Sequence, residues 1–151
     1  AAPSLSVLLL PEIIAGYMTG FHQNIYFRSP YAPLFVVRDT LCVFDHYKER
    51  IRRFRQDHVA VDEVPIAYQH DRHWAGRLLQ DRSNGTVYVE FARNHRTWLR
   101  SVDPATGTLG PLRALDHPFP EGVQVHDGYA YYIHRPYGSL QRRTLYRQAI
   151  R

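Results

Sequence analysis

VYVEFARNHRTWLRSVD, residues 87–103, reads as a strand, a turn at Asn94-His95 and a second strand. Similar hairpins lie on either side, in LCVFDHYKERIRRF (41–54) and in YAYYIHRPYGSLQRRTLYR (129–147). Aligned on their apolar and aromatic cores, Cys42 falls 46 positions before Tyr88, and Tyr88 falls 43 before Tyr131. Each hairpin is preceded by a short strand and a tight turn: PLFVV then Arg38-Asp39-Thr40, GRLLQ then Arg82-Ser83-Asn84-Gly85, and GVQV then His126-Asp127-Gly128. Asn-Gly and Asp-Gly signal two-residue hairpin turns, because both central positions need positive φ.

Two units carry a fourth strand, HVAVDEVPIAY (58–68) and TLGPLRAL (108–115), reached through Gln56-Asp57 and through Asp103-Pro104-Ala105-Thr106-Gly107. Four strands recurring about every 40 to 45 residues are the pattern of a propeller blade. A small sheet cannot bury both faces alone, so neighbouring sheets must stack on it. The expected fold is all-β, a β-propeller segment of about three four-stranded antiparallel blades at 32–71, 75–117 and 122–151. A β-sandwich also spaces strands by 8–12 residues or so, without holding a register over successive units.

NIYFR (24–28) and part of LSVLLL (5–10) read as strands, so residues 1–31 are expected to supply a partial blade or closing strands. The third unit has three strands, and the N-terminal segment is expected to supply its fourth. Helix candidates are residues 11–17 and 72–79, the latter overlapping GRLLQ. A propeller ring needs about four to eight blades. The sequence therefore reads as the C-terminal part of a longer chain, with a ring of two copies or an open array as alternatives, and an open blade face as a site of self-association. The start at AAPS, without Met, suggests processing or trimming.

Composition narrows the function. The aromatic content is 13%, and eleven of the twenty aromatic residues are Tyr, which favours strands. The net charge of +5 invites a nucleic-acid reading. Its distribution argues against one, because the basic residues are 18 Arg and the single Lys48, spread from Arg28 to Arg151. In the densest cluster, Arg50 and Arg52 share one strand face and Arg53 and Arg55 the other, so no single basic stripe forms. Nucleic acid is a disfavoured partner. Cys42 is the only cysteine, which rules out an intrachain disulfide and a cysteine zinc site. Residues 5–10 are too short to span a bilayer, so no transmembrane segment is expected there.

The runs IYFRSPYAPLF, LCVFDHYKERIRRF, VPIAYQ, LLQDRSNGTVYV, SVDPATG and VHDGYAYYIHRPYGSLQRRTLYR resemble the uncharacterised six-bladed propeller proteins of bacterial envelopes, relatives of the NHL-type propellers. The resemblance covers most of residues 24–149 and rests on blade-end patterns such as VFD and DGYxYY. It implies an exported β-propeller, periplasmic or in the cell envelope and often a lipoprotein, with a binding or scaffolding role and no catalytic residues to carry over.

Sorting the loops onto two rims gives an asymmetry. One rim collects His46-Tyr47-Lys48, Arg93-Asn94-His95-Arg96, Arg135-Pro136-Tyr137-Gly138, the connection 68–74 and His117-Pro118-Phe119-Pro120. The other collects turn-forming residues and little else. Aromatics and Arg give large contact area with few rotors, as binding surfaces require. The candidate ligand-binding residues are Tyr47, Tyr68, His70, His73, Trp74, Arg93, His95, Arg135 and Tyr137, and the expected partner is a protein, peptide or glycan. The bland alternative is that Trp74 and Phe119 only plug blade junctions.

Other site chemistries find less. His70 and His73 are spaced for a metal, but two ligands are short of the three or four that zinc takes, so no metal and no cofactor is expected. Asp45-His46, Asp57-His58 and Asp116-His117 are adjacent pairs, and strand neighbours point to opposite faces. The recurring Asp reads as turn-forming, bonded to local backbone N–H groups. Channel-lining positions near Val36, Gln80 and Gln124 are poor in acid–base groups. No catalytic residue is assigned. The alternatives kept are a propeller enzyme acting on glycans or peptides and, behind it, RNA binding along the basic face.

Overall fold

The computed structural model describes residues 31–136 and 142–151. The strand readings at 24–28 and 5–10, the helix candidate at 11–17, the N-terminal closing strand and Tyr137 lie outside the described residues.

Runs of alternating aromatic and β-branched residues form three antiparallel sheets. Sheet 1 is β1 (Leu34–Val37), β2 (Thr40–Asp45), β3 (Arg50–Phe54) and β4 (Ala60–Pro65), in that order. Sheet 2 is β5 (Trp74–Gln80), β6 (Val87–Arg93), β7 (Arg96–Val102) and β8 (Arg113–Ala114). Sheet 3 is β9 (Glu121–His126), β10 (Tyr129–His134) and β11 (Thr144–Ala149), with β10 central. Among the described residues no helix is long and apolar enough to cross a membrane.

The middle sheet is buried on both faces. Val87, Val89 and Phe91 of β6 join Cys42, Phe44, Ile51 and Val64 of sheet 1 in one apolar cluster. Tyr88 of β6, with Leu79, Leu99 and Leu115, joins Val123, Val125, Ala130 and Tyr132 of sheet 3 in another. Strand alternation thus sends successive β6 side chains into two different cores. Glu90 is buried on the sheet 3 side and is paired with Arg77, which also donates to the Val123 carbonyl at 3.3 Å.

The turns follow local chemistry. Asn94 and His95 both have positive φ, as do Asp127 and Gly128, and each pair closes a two-residue hairpin. Asn84-Gly85 departs from the expected two-residue turn. Asp81 N donates to Thr86 O at 2.8 Å and Gly85 N donates to Asp81 O at 2.7 Å, so the loop spans residues 81–86. Residues 103–108 repeat it: Asp103 N donates to Thr108 O at 3.0 Å and Gly107 N to Asp103 O at 2.7 Å. In both loops the leading Asp side chain accepts the amide two residues on, at 3.0 Å from Ser83 and 2.9 Å from Ala105. Asp57 and Asp71 do likewise for Val59 and His73, and Asp45 for Lys48 one residue farther on.

The helix candidate at 72–79 is a strand from Trp74 onward. Leu78 packs in the sheet 1 cluster and Leu79 in the sheet 3 cluster, and only extended backbone sends adjacent leucines to opposite faces. TLGPLRAL is strand only at Arg113–Ala114, with a further bridge between Val102 and Leu109. Pro111 interrupts it, since proline cannot donate to a ladder.

Two close approaches set how the sheets stack. Gly107 has φ +73°, and a Cβ there would lie 2.3 Å from the carbonyl oxygen of Pro65 in sheet 1. Asp81, 0% exposed, lies between sheets 2 and 3. Its carboxylate accepts from Ser83 Oγ at 2.6 Å and Asn84 Nδ2 at 3.3 Å in its own loop. It also accepts the Asp127 and Gly128 amides at 3.0 and 2.7 Å, from the β9–β10 turn of the next sheet. Burial pushes this carboxyl up, but the Ser83 hydroxyl and the amides of Gly128, Ser83 and Asp127 outweigh it and hold it below the usual carboxylate range.

Two predictions follow from these contacts. Gly107→Ala should lower stability by about 1–3 kcal/mol in urea unfolding, from the left-handed backbone and the Pro65 clash together. Asp81 contributes stability that is complete above its unfolded pKa of about 4 and is lost as pH falls through the lowered folded value. Asp81→Asn should therefore cost about 3 kcal/mol near neutrality and flatten the acid limb of a pH–stability curve.

Candidate functional site

The β2–β3 and β6–β7 turns, the connections between sheets and the C-terminal end of β10 gather at one end of the stack. Six of the eight described histidines lie there: His46, His70, His73, His95, His117 and His134. His58 and His126 lie toward the other end.

The first group forms where sheets 1 and 2 meet. His46 is sandwiched between Tyr31 (ring centroids 5.1 Å apart, 24°) and Trp74 (4.8 Å, 25°). Tyr68 meets His46 and Trp74 edge-on, at 5.5 and 6.0 Å. Nδ1 of His46 is 2.8 Å from the Tyr31 carbonyl oxygen, which can only accept, so Nδ1 carries the proton. Nε2 then accepts the Tyr68 hydroxyl at 2.7 Å. Burial lowers the His46 pKa against the opposing pull of the Tyr31 carbonyl and Asp45, so the imidazole is neutral at pH 7. Burial also raises the Tyr68 phenol well above its ordinary value, which keeps that proton on oxygen. The Trp74 indole N–H is buried with no acceptor among the described residues.

A second group sits where sheets 2 and 3 meet. His117 lies 4.1 Å from Tyr146 and 4.8 Å from His134, centroid to centroid, with Nδ1 2.7 Å from the Tyr132 hydroxyl. Gln148 of β11 ties the junction. Its Nε2 donates to Ala114 O at 2.7 Å and its Oε1 accepts the Asp116 amide at 2.8 Å. His134 is buried, and its Nδ1 has no hydrogen-bond partner among the described residues. Burial raises the Tyr132 phenol above its ordinary value, with Asp116 adding to it.

Two smaller stacks lie between these groups. His95 lies over Phe119 at 4.1 Å and 19°, and the Phe119 amide donates to the His95 carbonyl at 2.8 Å. Both residues have positive φ, which turns the two rings outward together. His73 meets Trp98 edge-on at 5.8 Å, and Trp98 stacks on Phe91 at 5.8 Å.

The candidate residues named from sequence divide accordingly. Tyr68 and Trp74 come together around His46, with Tyr68 buried. His95 stacks on Phe119, and His73 meets Trp98 edge-on. His70 is exposed and bonds Glu49 at 2.7 Å, away from His73 as a metal pair. Tyr47 is 76% exposed, and Arg93 and Arg135 are exposed. His46, His117, His134 and Tyr146 belong to the groups but not to the sequence-derived set. Their signal was the Asp-His dipeptides 45–46 and 116–117 and the inward parity of His134 in β10.

Among the described residues no three His, Cys, Asp or Glu side chains gather as metal ligands would. Every arginine of the cluster has a carboxylate partner, with one shared: Arg50 and Arg52 pair with Glu63, Arg53 with Asp62 and Arg55 with Asp57. No protein-family model matches the chain, and no curated protein matches it.

The neutral state of His46 has a measurable consequence. Its contribution to stability is full above the ordinary histidine pKa of about 6.5 and is lost as pH falls toward the lowered folded value. Urea titrations between about pH 7 and pH 5 should show a shallower decline for His46→Phe than for the parent chain.

Proposed function

We propose that the chain is a segment of a β-propeller of the six-bladed, NHL-like bacterial envelope type. It acts there as a non-catalytic binding or scaffold module, taking a protein, peptide or glycan on its histidine- and aromatic-rich end. Support for the propeller comes from three consecutive antiparallel sheets, packed face on face in chain order.

The open face of sheet 3 is consistent with a stack that continues. Cys42 and Phe44 on sheet 1 are covered by sheet 2, and Tyr88 on sheet 2 is covered by sheet 3. Tyr131 follows Tyr88 by 43 residues and shares its face with Tyr129, Ile133 and Leu145. Among the described residues no sheet packs on that face, where Tyr129, Tyr131 and Ile133 are half-buried and Leu145 is 68% exposed. A further sheet, from the same chain or another copy, would bury it.

The observation that carries the binding role is the gathering of six histidines with Tyr68, Trp74, Trp98, Phe119 and Tyr146 at one end. Imidazoles packed against aromatic rings offer flat faces with polar edges, which suit a sugar ring or a peptide side chain. Arg93 and Arg135 on the same end suit a carboxylate. The buried N–H of Trp74 and Nδ1 of His134, without hydrogen-bond partners among the described residues, add polar atoms to that end.

The experiment is a glycan and peptide array probed with the parent chain and with Tyr47→Ala, His95→Ala and Tyr137→Ala. Loss of about tenfold in affinity for the hits is expected, because truncated aromatic contacts typically cost 1 kcal/mol or more. Thermal midpoints within a few degrees of the parent will separate lost contact from lost fold. Every hit retained by all three variants removes the reading.

A further inference from the structure

The opposite end of the stack carries more than turns. A cleft of about 580 Å³ opens between β1 and the 81–86 loop, lined by Leu34, Val36, Arg38, Gln80, Arg82 and Asn84, among others. Its floor is apolar and open, with Leu34 42% and Val36 53% exposed. Its walls are tied together, because Gln80 Nε2 donates both to Val36 O at 2.7 Å and to Gly85 O at 3.3 Å.

The polar groups around the cleft are unequally committed. Ser83 Oγ and Asn84 Nδ2 donate to Asp81, and Asn84 Oδ1 accepts the Thr86 amide at 2.9 Å. Arg38 and Arg82 are exposed, and neither is paired with a carboxylate among the described residues. No acid is among the described lining residues. The two nearest acids in sequence are occupied: Asp39 faces Gln56 at 3.4 Å, and Asp81 is buried within its own shell of donors. Two arginines unpaired among the described residues therefore line a cleft that also exposes Leu34 and Val36.

Arg38 adds a second sign. It opens the β1–β2 turn at φ 54°, in the left-handed region, where glycine is the favoured residue. A long cation held in that conformation works against stability, and such sites recur at ligand clamps.

We propose that this cleft binds a small organic anion, a carboxylate or phosphate ester with a short hydrocarbon body. The guanidiniums of Arg38 and Arg82 would hold the head group through charge-assisted hydrogen bonds, and Leu34 and Val36 would cover the hydrocarbon. The cleft lies at the end away from the histidine groups, so the proposal stands independently of the binding role assigned to them.

The test is an NMR titration of the full 151-residue chain with hexanoate, hexyl phosphate, inorganic phosphate and the neutral hexanamide. Saturable amide shifts confined to residues 34–38 and 80–85 are expected with hexanoate or hexyl phosphate, at about millimolar concentration. The tighter of the two identifies the head group. Inorganic phosphate should bind more weakly than its hexyl ester, for want of the floor contact. Arg38→Gly should weaken binding about tenfold while the thermal midpoint holds or rises, because glycine relieves the turn. Arg82→Gln should weaken it by a similar factor. Hexanamide binding as tightly as hexanoate, the absence of saturable shifts, or undiminished affinity in both variants overturns the proposal.

Discussion

A single buried carboxylate holds sheets 2 and 3 in register. Asp81 closes its own loop and then takes both amides of the Asp127-Gly128 turn, 46 and 47 residues later. Those amides belong to a tight hairpin and have no strand partner to turn to. Without Asp81 the buried Gly128 amide would be a donor lacking an acceptor, a cost of about 1–3 kcal/mol, and the part-buried Asp127 amide would lose its partner as well. The ion itself is stable in that place only because five donors surround it. Loop, turn and charge therefore form together or not at all. The apolar packing of Tyr88 and Leu99 against Val123 and Tyr132 supplies the attraction between the two sheets, and Asp81 supplies the alignment.

The junction between sheets 1 and 2 solves the same problem with neutral groups. Gln80 bridges Val36 O and Gly85 O, and Gly107 lets the 103–108 loop approach the Pro65 carbonyl. The Gln80 bonds lie at one end of the stack, and the other end is left to aromatic groups. There His46 and His117 each sit at a sheet junction, bonded to a tyrosine hydroxyl and packed against an aromatic ring, stacked for His46 and tilted for His117. The two groups have different residues and different chain segments, yet the same chemistry. Each lies where two sheets meet and leaves ring edges at the surface, so the features that stabilise the junctions are the same ones on which the proposed binding role rests.

Much of this was legible in the residues because it is local. Alternation in residues 87–91 marks a strand, and Asn94-His95 and Asp127-Gly128 mark turns whose positive φ values are present. The turn role of the repeated Asp was legible for the same reason. Asn84-Gly85 was misread because the dipeptide signal ignores the 81–86 closure around it. Leu78-Leu79 suits a helix by propensity, and only the presence of a core on each side makes a strand the better solution. The candidate site was half legible. The end on which Tyr68, Trp74 and His95 lie follows from strand order, but their partners His46 and Phe119 follow from how sheets approach each other. The cross-sheet reach of Asp81 was hidden for that reason too. Arg38 and Arg82, read as turn residues, line a cleft that exists only once sheets 1 and 2 are packed.

The account rests on the sheets being stacked and locked through Asp81, and native-state hydrogen exchange addresses that most directly. The Asp127 and Gly128 amides occupy a surface hairpin turn, where exchange is ordinarily fast. Bonded to the buried carboxylate, they should exchange only with global unfolding, at the same free energy as the central amides of β6 and β10. Rapid exchange of these two amides, with the flanking strands still protected, would mean that sheet 3 is not clamped to sheet 2 and would contradict the stack.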